Sequence, residues 1–359
     1  MNSHSLYTLA NFSGLPYLVN WLNRRNLLVL TYHGVYEGPK RQGSLPETFV
    51  HVNDMADQLR YLKNRYCAID ADDLLASLKN GSSLPKSAML ITFDDGYESF
   101  YRLAVPVLNG LNIRPLVFIP TFYVESSEPF WFDFVWLFIK LTDQQELFEL
   151  IHLLNLEEAT LDRNRVLSQC LRAMKSMIPE QREAVLARIK EMKSFLSYGD
   201  NLTLKLFCSM NAEQIKELSG KGVTFGGHTH THTILSTMPE EIAKSEITRN
   251  KMKLEDLIQR PVYFFAYPNG DQGDFGGRDK DLLIGAGYKA AFSLTQRRSV
   301  PNHDSMDISR INAAPEDIPE SLYFRCTGIT PLLEQFRHPG LFRKSIKVSP
   351  NQPSLLLGP

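Results

Sequence analysis

The chain has 359 residues, of which 43% are hydrophobic and 22% charged, values typical of a soluble globular protein with a sizeable core. Its 39 basic and 40 acidic side chains give a formal net charge of −1, which offers no electrostatic attraction for nucleic acid, so we expect no nucleic-acid partner. The four cysteines are far apart in the sequence, which predicts free thiols rather than a disulfide framework.

The first 25 residues predict an N-terminal segment outside the main domain. They lack a basic cluster followed by an uninterrupted apolar core, so they do not resemble a signal peptide. The most apolar later stretch, FWFDFVWLFIKL at 130–141, contains Asp133 and is too short to span a bilayer. We therefore expect no transmembrane segment and a cytoplasmic location, with this aromatic stretch as a candidate contact to a membrane surface.

Short apolar runs rich in β-forming residues predict about seven strands. These runs are 26–33, 88–96, 115–121, 222–230, 262–270 and 289–295, with a weaker candidate at 307–313. Amphipathic segments such as 54–66 and 239–259 lie between them and predict helices. Buried-type strands that alternate with helices predict an α/β protein with a parallel sheet, either open or closed into a barrel.

Residues 142–215 interrupt this alternation, because they are rich in helical patterns and poor in strands. We interpret them as a helical insertion in one large domain that extends over 26–335. The N-terminal segment at 1–25 precedes this domain, and a loosely ordered tail at 336–359 follows it.

Polar residues with catalytic potential follow several of the predicted strands. The strand ends read TYHG at His33, TFDDG at Asp94 and Asp95, GGHTHTH around His228, and AYPNG at Asn269. In parallel sheets and barrels the loops at the carboxyl ends of the strands form the active site. We therefore expect these residues to meet on one rim.

The three alternating histidines of HTHTH point to a metal site, because two imidazoles and a carboxylate are typical ligands of a catalytic zinc-type centre. His228 and His232 are four residues apart, so a helical turn would bring both rings to one face. An extended segment would instead put all three histidines on one face. Gly226 and Gly227 mark the end of the strand and favour the turn. We therefore assign His228 and His232 as ligands and His230 to a supporting hydrogen bond.

The two adjacent carboxylates of TFDDG repel each other, so the pair needs a physical reason. A local turn or a helix cap would explain an isolated D-D-G. The functional interpretation divides the two residues: Asp95 binds the metal, and Asp94 acts as a general base on the attacking water.

TFDDG, followed by HTHTH in the frame H-T-x-x-H and then by FFAYPNG, resembles the polysaccharide deacetylase family, carbohydrate esterase family 4. The resemblance covers most of residues 26–313, and LTYHGVY upstream further resembles bacterial poly-N-acetylglucosamine deacetylases. It implies a distorted (β/α) barrel that uses one divalent metal ion to hydrolyse an N-acetyl, sometimes an O-acetyl, group on a glycan. The implied partner is an N-acetylated saccharide, and the implied metal is zinc, with cobalt, nickel or iron as alternatives.

The resemblance also assigns roles to the third motif, AYPNG. In many family members this motif carries an arginine that positions the base and a tyrosine whose backbone N–H faces the oxyanion. The matching positions are Ala266 and Asn269, so this motif supplies no arginine for Asp94. Asn269 still offers a backbone N–H, and with Pro268 it is assigned to substrate binding.

The sequence motifs indicate the general acid less clearly than the base or the metal ligands. The late family motif that supplies it is not evident, and His303 lies in a polar loop that fits this motif poorly. In the poly-N-acetylglucosamine deacetylases the motif order looks circularly permuted, with the histidine upstream of the D-D-G strand. His33 stands at that place, so we assign it as the acid and keep His303 in reserve.

Aromatic residues near these motifs are candidates for stacking on sugar rings, and we assign Tyr97 and Trp131 to substrate binding, with Tyr123 as a further candidate. Because loops on the active face of a barrel set specificity, we expect the insertion to affect substrate choice but not metal binding. Two other functions stay open: hydrolysis of another non-peptide amide C–N bond, and an inactive glycan-binding protein. The second has no use for a general base.

Overall fold

The barrel strands alternate with helices along the chain. The computed structural model describes residues 14–39, 45–124, 126, 128–156, 162–192, 206–300 and 304–329. Its strands are β1 (Leu28–Tyr32), β2 (Val35–Tyr36), β3 (Val50–His51), β4 (Cys67–Ile69), β5 (Ala88–Phe93), β6 (Leu116–Ile119), β7 (Thr224–Gly227), β8 (Phe264–Ala266), β9 (Ala290–Ser293), β10 (Ile308–Ser309) and β11 (Ile311–Asn312).

The described helices cover the outside of the barrel and form a separate helical layer. They are α1 (Leu15–Leu22), α2 (Val52–Lys63), α3 (Ala71–Asn80), α4 (Val105–Gly110), α5 (Trp131–Leu141), α6 (Gln144–Leu153), α7 (Arg163–Lys175), α8 (Pro179–Lys190), α9 (Ala212–Gly220), α10 (Glu240–Ile258), α11 (Gly277–Gly285) and α12 (Pro319–Cys326). None of them combines the length and the apolar character that a membrane span requires.

A single segment joins the two edges of the main sheet. The sheet has nine strands in the order β10-β9-β8-β7-β6-β5-β1-β11, with β4 attached only to β5. β10 pairs with β9, β11 pairs with β1, and Arg310 alone separates β10 from β11. Counting β10 and β11 as one position, the path has seven positions, and the pairs along it are parallel. The predicted distorted barrel of about seven parallel strands is therefore confirmed.

Side chains of the barrel strands alternate between two apolar clusters. The interior cluster includes Val29, Leu90, Phe118, Phe264 and Phe292. The chain neighbours Leu30 and Ile91 belong instead to the outer cluster, which also contains helix residues such as Leu59 and Ile247. Strands β1, β5 and β6 are buried at every position for this reason, which explains their continuous apolar sequence.

The helices of the insertion pack around a third apolar cluster, which also contains Tyr36, Phe49 and Tyr97 from the barrel part of the chain. Helices α5 to α8 share an apolar cluster that includes Phe134, Leu150, Met174 and Leu186. The insertion therefore begins about one helix earlier than predicted. Helix α9, whose first four residues fall within the predicted insertion, contributes Ile215 and Leu218 to the outer cluster of the barrel.

The aromatic stretch at 130–141 lies mostly in the protein interior. It forms α5, whose residues Trp131, Phe134 and Phe138 are buried in the core of the insertion. Phe132 and Trp136 of the same helix stay partly exposed, and Leu141 is 40% exposed. The proposed tail at 336–359, His303 and most of the segment 1–25 lie outside the described residues.

Candidate active site

Polar side chains continue the inward-facing positions of four barrel strands. Each follows an interior position of its own strand by an even number of residues: Val29 precedes His33, Leu90 precedes Asp94, Gly226 precedes His228, and Ile308 precedes Arg310. Because strand side chains alternate with a period of two, these four groups converge at the carboxyl end of the barrel. The structure thus brings the predicted strand ends to one rim.

Asp95, His228 and His232 form a group whose ligand atoms all lie within 4.8 Å of one another. Oδ1 of Asp95 is 3.3 Å from Nε2 of His232 and 3.7 Å from Nε2 of His228. Two ligands about 2.0–2.1 Å from a tetrahedral zinc ion lie roughly 3.4 Å apart. Oδ1 of Asp95 therefore already stands near the spacing of a zinc site from both imidazole nitrogens.

The hydrogen bonds of these residues leave the same atoms available for a metal. Nδ1 of His228 donates to the carbonyl oxygen of Ala266 (2.7 Å), which directs the lone pair of Nε2 toward Asp95. Oδ1 of Asp95 is buried and has no hydrogen-bond partner among the described residues, a costly state for a carboxylate oxygen. A bound cation would remove this cost, so the residues fit a metal ion.

The protonation states also suit metal binding. Burial would raise the pKa of Asp95, but the nearby His232, His33 and His228 outweigh it and lower the pKa. Burial lowers the pKa of His228 to about 4. Both residues are therefore held in the forms that coordinate metals, an ionised carboxylate and a neutral imidazole.

The histidine segment forms a turn, as expected, but the turn is not helical. Strand β7 ends at Gly227, and Thr229 (φ 57°) and His232 (φ 55°) adopt left-handed conformations in the irregular segment that follows. This path brings the ring centroids of His228 and His232 to 4.8 Å. Gly227 is required at the strand end, because an added Cβ would lie 2.5 Å from Oδ1 of Asn250.

His230 lies outside the converging group. Its Nδ1 is 2.9 Å from Oγ1 of Thr121, and its carbonyl oxygen accepts the backbone N–H of Phe122. Asn250 extends this network by donating to Thr121 (3.2 Å). His230 thus ties the turn to the end of β6, a contact that is consistent with the supporting hydrogen bond predicted for it.

Arg310 is the partner of Asp94. Its Nη1 donates to Oδ1 (2.6 Å) and its Nη2 to Oδ2 (2.8 Å), and both side chains are buried. Burial alone would raise the pKa of Asp94, but the charge of Arg310, aided by His228 and His33, holds that pKa far below its usual range. The arginine missing at Ala266 is therefore supplied by another strand end.

His33 lies beside the same carboxylate. Its Nε2 is 3.8 Å from Oδ2 of Asp94, and its side chain is 14% exposed. Nδ1 of His33 is buried without a hydrogen-bond partner among the described residues. His33 therefore adjoins the Asp94–Arg310 pair and retains some access to solvent.

The third motif borders the site from the end of β8. Asn269 has a left-handed backbone (φ 64°), and its side chain is held by Lys175 (2.7 Å to Oδ1) and Asp274 (2.5 Å from Nδ2). Pro268 is buried and Asn269 is partly exposed. Lys175 belongs to α7, so the insertion reaches this loop.

Two predicted substrate-binding residues are corrected by their burial. Tyr97 has no exposed surface and donates its hydroxyl to Oδ2 of Asp133 (2.6 Å). Trp131 is 3% exposed. Stacking on a sugar requires an open ring face, so both residues are core residues, as is the further candidate Tyr123, which is 4% exposed. The aromatic ring beside the metal group is Phe132, which is partly exposed and 4.7 Å from the ring of His232.

The main residue that our sequence interpretation missed is Arg310. It lies in the candidate strand 307–313, whose sequence DISRINA places an arginine two residues after an apolar position. An arginine at an inward-facing strand position is unusual and is the available signal. It becomes informative only once β11 is known to pair with β1, next to the strand that carries Asp94.

Part of the chain is similar in sequence to known deacetylases. Residues 184–283 match the family model described as polysaccharide deacetylase. A stretch of 72 residues, 20% of this chain, is 32% identical to the poly-beta-1,6-N-acetyl-D-glucosamine N-deacetylase of Escherichia coli (strain K12). The match spans only 11% of the length of that relative.

Solved structures of deacetylases share the fold. The Streptococcus pyogenes deacetylase PplD in complex with acetate gives a TM-score of 0.55 at 15% identity and covers 83% of this chain and 96% of its own. IcaB from Ammonifex degensii gives 0.53 at 19% identity, over 84% and 97%. The de-N-acetylase from Aggregatibacter actinomycetemcomitans gives 0.55 at 15% identity, over 84% and 99%. The family match over residues 184–283 confirms the predicted resemblance to the polysaccharide deacetylase family for that part of the chain, and the solved structures show that the fold is shared.

Proposed function

We propose that the protein is a metal-dependent hydrolase that removes N-acetyl groups from an amino-sugar glycan or glycan precursor. The observation that carries this proposal is the buried Asp94–Arg310 pair beside the metal-ligating group of Asp95, His228 and His232. A divalent ion held by that group, zinc by the nature of the donors and with cobalt, nickel or iron as alternatives, would polarise the acetamide carbonyl.

The chain's own residues supply the proton transfers. Asp94, kept ionised and oriented by Arg310, takes a proton from the attacking water, and the oxygen of that water bonds to the carbonyl carbon. The backbone N–H of Asn269, in the loop that begins at Pro268, stabilises the negative charge on the carbonyl oxygen. His33 gives a proton to the amide nitrogen, the C–N bond breaks, and acetate and a free amino sugar are released.

The proposed substrate is an N-acetylated saccharide. The partial similarity to a poly-beta-1,6-N-acetyl-D-glucosamine N-deacetylase makes β-1,6-linked N-acetylglucosamine oligomers the first substrates to test. A glycan-binding protein without catalysis has no use for a buried carboxylate held ionised by an arginine. The Asp94–Arg310 pair therefore favours an enzyme over a binding module.

Acetate release tests the proposal. The protein is stripped of metal, reloaded with Zn²⁺ or Co²⁺, and incubated with β-1,6- and β-1,4-linked N-acetylglucosamine oligomers and with a small cyclic amide. We expect acetate from an oligomer, no product after chelation, and none from the Asp94→Asn variant. Binding of oligomers without acetate release would indicate a binding module, and turnover of the cyclic amide alone would indicate a different amide hydrolase.

A further inference from the structure

The helical insertion places one charged side chain against the histidine turn. Arg182, on α8, is among the largest fully buried side chains and is 1% exposed. Arginine is almost never fully buried unless its charge is paired or its donors are used. The groups around Arg182 therefore indicate what it does.

A single nitrogen of Arg182 contacts three oxygens of the turn. Its Nη2 lies 3.1 Å from the carbonyl oxygen of Thr231, 3.1 Å from Oγ1 of Thr231 and 3.0 Å from Oγ1 of Thr233. These two threonines flank His232 in the chain. The insertion thus donates hydrogen bonds to the residues on both sides of His232, a member of the metal-ligating group.

The opposite side of the turn is held by a carboxylate. Oε2 of Glu246, on α10, accepts the backbone N–H of Thr231 (2.8 Å), and Oε1 accepts its hydroxyl (3.1 Å). Thr231 therefore lies between a guanidinium from the insertion and a carboxylate from the barrel. Charged partners make stronger hydrogen bonds than neutral ones, so this arrangement fixes the peptide that precedes His232.

The backbone of the turn needs such restraint. Thr229 and His232 both have positive φ, a conformation that costs of order 1–3 kcal/mol for a residue other than glycine and persists only when its surroundings enforce it. The local bond from the N–H of Thr233 to Oγ1 of Thr229 (2.9 Å) closes the turn but does not attach it to the rest of the protein. Asn250, which donates to the carbonyl oxygen of Thr229, and His230 attach the first half of the turn, and Arg182 and Glu246 attach the part around Thr231.

Packing of the insertion alone does not explain an arginine at this place. The guanidinium carbon lies 4.9 Å from the ring centroid of Trp131, which also belongs to the insertion. Nε and Nη1 of Arg182 are buried without a hydrogen-bond partner among the described residues, which is unfavourable for a charged group. An apolar side chain would pack on Trp131 without this cost, so the contacts to Thr231 and Thr233 are what require the charge.

We propose that Arg182 is a positioning residue that holds the turn between His228 and His232 in its metal-binding conformation. The proposal deepens the proposed function and rests on it, because it assumes that this turn holds the metal. It differs from our expectation that the insertion is dispensable for metal binding, because loss of its α8 contact is expected to release the peptide next to His232.

Metal titration of the full chain tests the proposal without relying on turnover. Metal-free wild type, Arg182→Met, Arg182→Lys and Arg188→Met are titrated with Co²⁺, and the visible absorption of the bound ion reports its coordination. Arg188 is the matched control, because it lies on the same helix with 68% of its side chain exposed. Circular dichroism and thermal melting of each metal-free variant establish that it is folded.

We expect Arg182→Met to bind Co²⁺ roughly tenfold or more weakly, as found for residues that orient metal ligands, and with a changed absorption spectrum. Arg182→Lys, which keeps a donor, should be intermediate, and Arg188→Met should match the wild type. If Arg182→Met does not fold, the Lys variant decides the question. Wild-type affinity and spectrum in the folded variant would overturn the proposal.

The same titration separates this inference from the proposed function. A wild type that binds Co²⁺ with the expected loss in Arg182→Met, yet releases no acetate from any N-acetylated oligomer, would support the positioning role and contradict the deacetylase assignment. Acetate release by the wild type with unchanged Co²⁺ binding in Arg182→Met would support the deacetylase assignment and contradict the positioning role.

Discussion

Arg310 and Asp94 face each other through two parallel hydrogen bonds, Nη1 to Oδ1 at 2.6 Å and Nη2 to Oδ2 at 2.8 Å. The residues are 216 positions apart, and they meet because β11 pairs with β1, the neighbour of the strand that carries Asp94. A bidentate pair fixes the plane of the carboxylate as well as its charge. Closure of the barrel and preparation of the proposed base therefore depend on the same short segment.

Replacing Arg310 with Met should destabilise the protein and alter its response to pH. Loss of one partner of a buried ion pair costs roughly 3–5 kcal/mol. In the wild type the pKa of Asp94 is lowered on folding, so its stabilising contribution is present above the unfolded pKa near 3.8 and is lost as the pH falls through the folded value. In Arg310→Met the guanidinium no longer offsets the effect of burial, so the pKa of Asp94 rises. The deficit in the free energy of unfolding should therefore be largest near neutral pH and shrink in acid, as measured by denaturant titrations at several pH values.

The activity of Arg310→Met should also report the raised pKa of Asp94. A base with a raised pKa stays protonated up to a higher pH, so the acid limb of the kcat/KM profile moves to higher pH. Arg298→Met is the matched control. Arg298 is also buried, but it donates to the backbone of Asn26, just before β1 and at the opposite end of the barrel. It should lower stability and leave the pH–rate profile in place. An unchanged acid limb in Arg310→Met would contradict the positioning of Asp94 by Arg310.

The sequence was sufficient for the strands and for the residues that follow them directly. Apolar runs located β1, β5, β6 and β7, and the alternation along those strands leads to His33, Asp94 and His228 without further information. Long-range pairing was not readable, because nothing local indicates that the segment around Arg310 lies beside β1. The sequence predicts a turn that brings in His232 but not its irregular path, since positive φ at two non-glycine residues contradicts local preference and is enforced by distant groups.

Asp94→Asn should retain the metal and the fold and lose turnover by about 10²–10⁴-fold, because Asn keeps the shape of the side chain but cannot accept the proton. Acetate release and metal content are measured on the same preparation. The metal content distinguishes loss of the base from loss of the site. Near-wild-type turnover in a metal-loaded Asp94→Asn protein would place the base elsewhere.

The histidines of the turn should differ sharply in their effect on metal binding. His228→Ala and His232→Ala each remove a donor from the converging group, and we expect both to lose more than the roughly 10–100-fold that changes in supporting residues cause. His230→Ala removes the contacts with Thr121 and the ring of Phe122 and should stay within that smaller range. Metal analysis after dialysis against a weak chelator gives the order. Equal loss in all three variants would show that His230 is itself a ligand.

His33 should act on the leaving group rather than on the metal. Its Nε2 lies 3.8 Å from Oδ2 of Asp94, and its Nδ1 has no hydrogen-bond partner among the described residues. His33 is not a member of the metal-ligating group. An amine is a poor leaving group and needs a proton as the C–N bond breaks, a task that suits an imidazole near neutral pH. His33→Asn should therefore keep its metal and lose the alkaline limb of the pH–rate profile, together with most of the rate on an N-acetylated oligomer. An activated acetate ester, whose leaving group departs without a proton, should be hydrolysed with far less loss.

His33→Asn and wild type are compared on both substrates after metal analysis. Equal slowing of ester and amide, or release of the metal, would exclude His33 as the general acid.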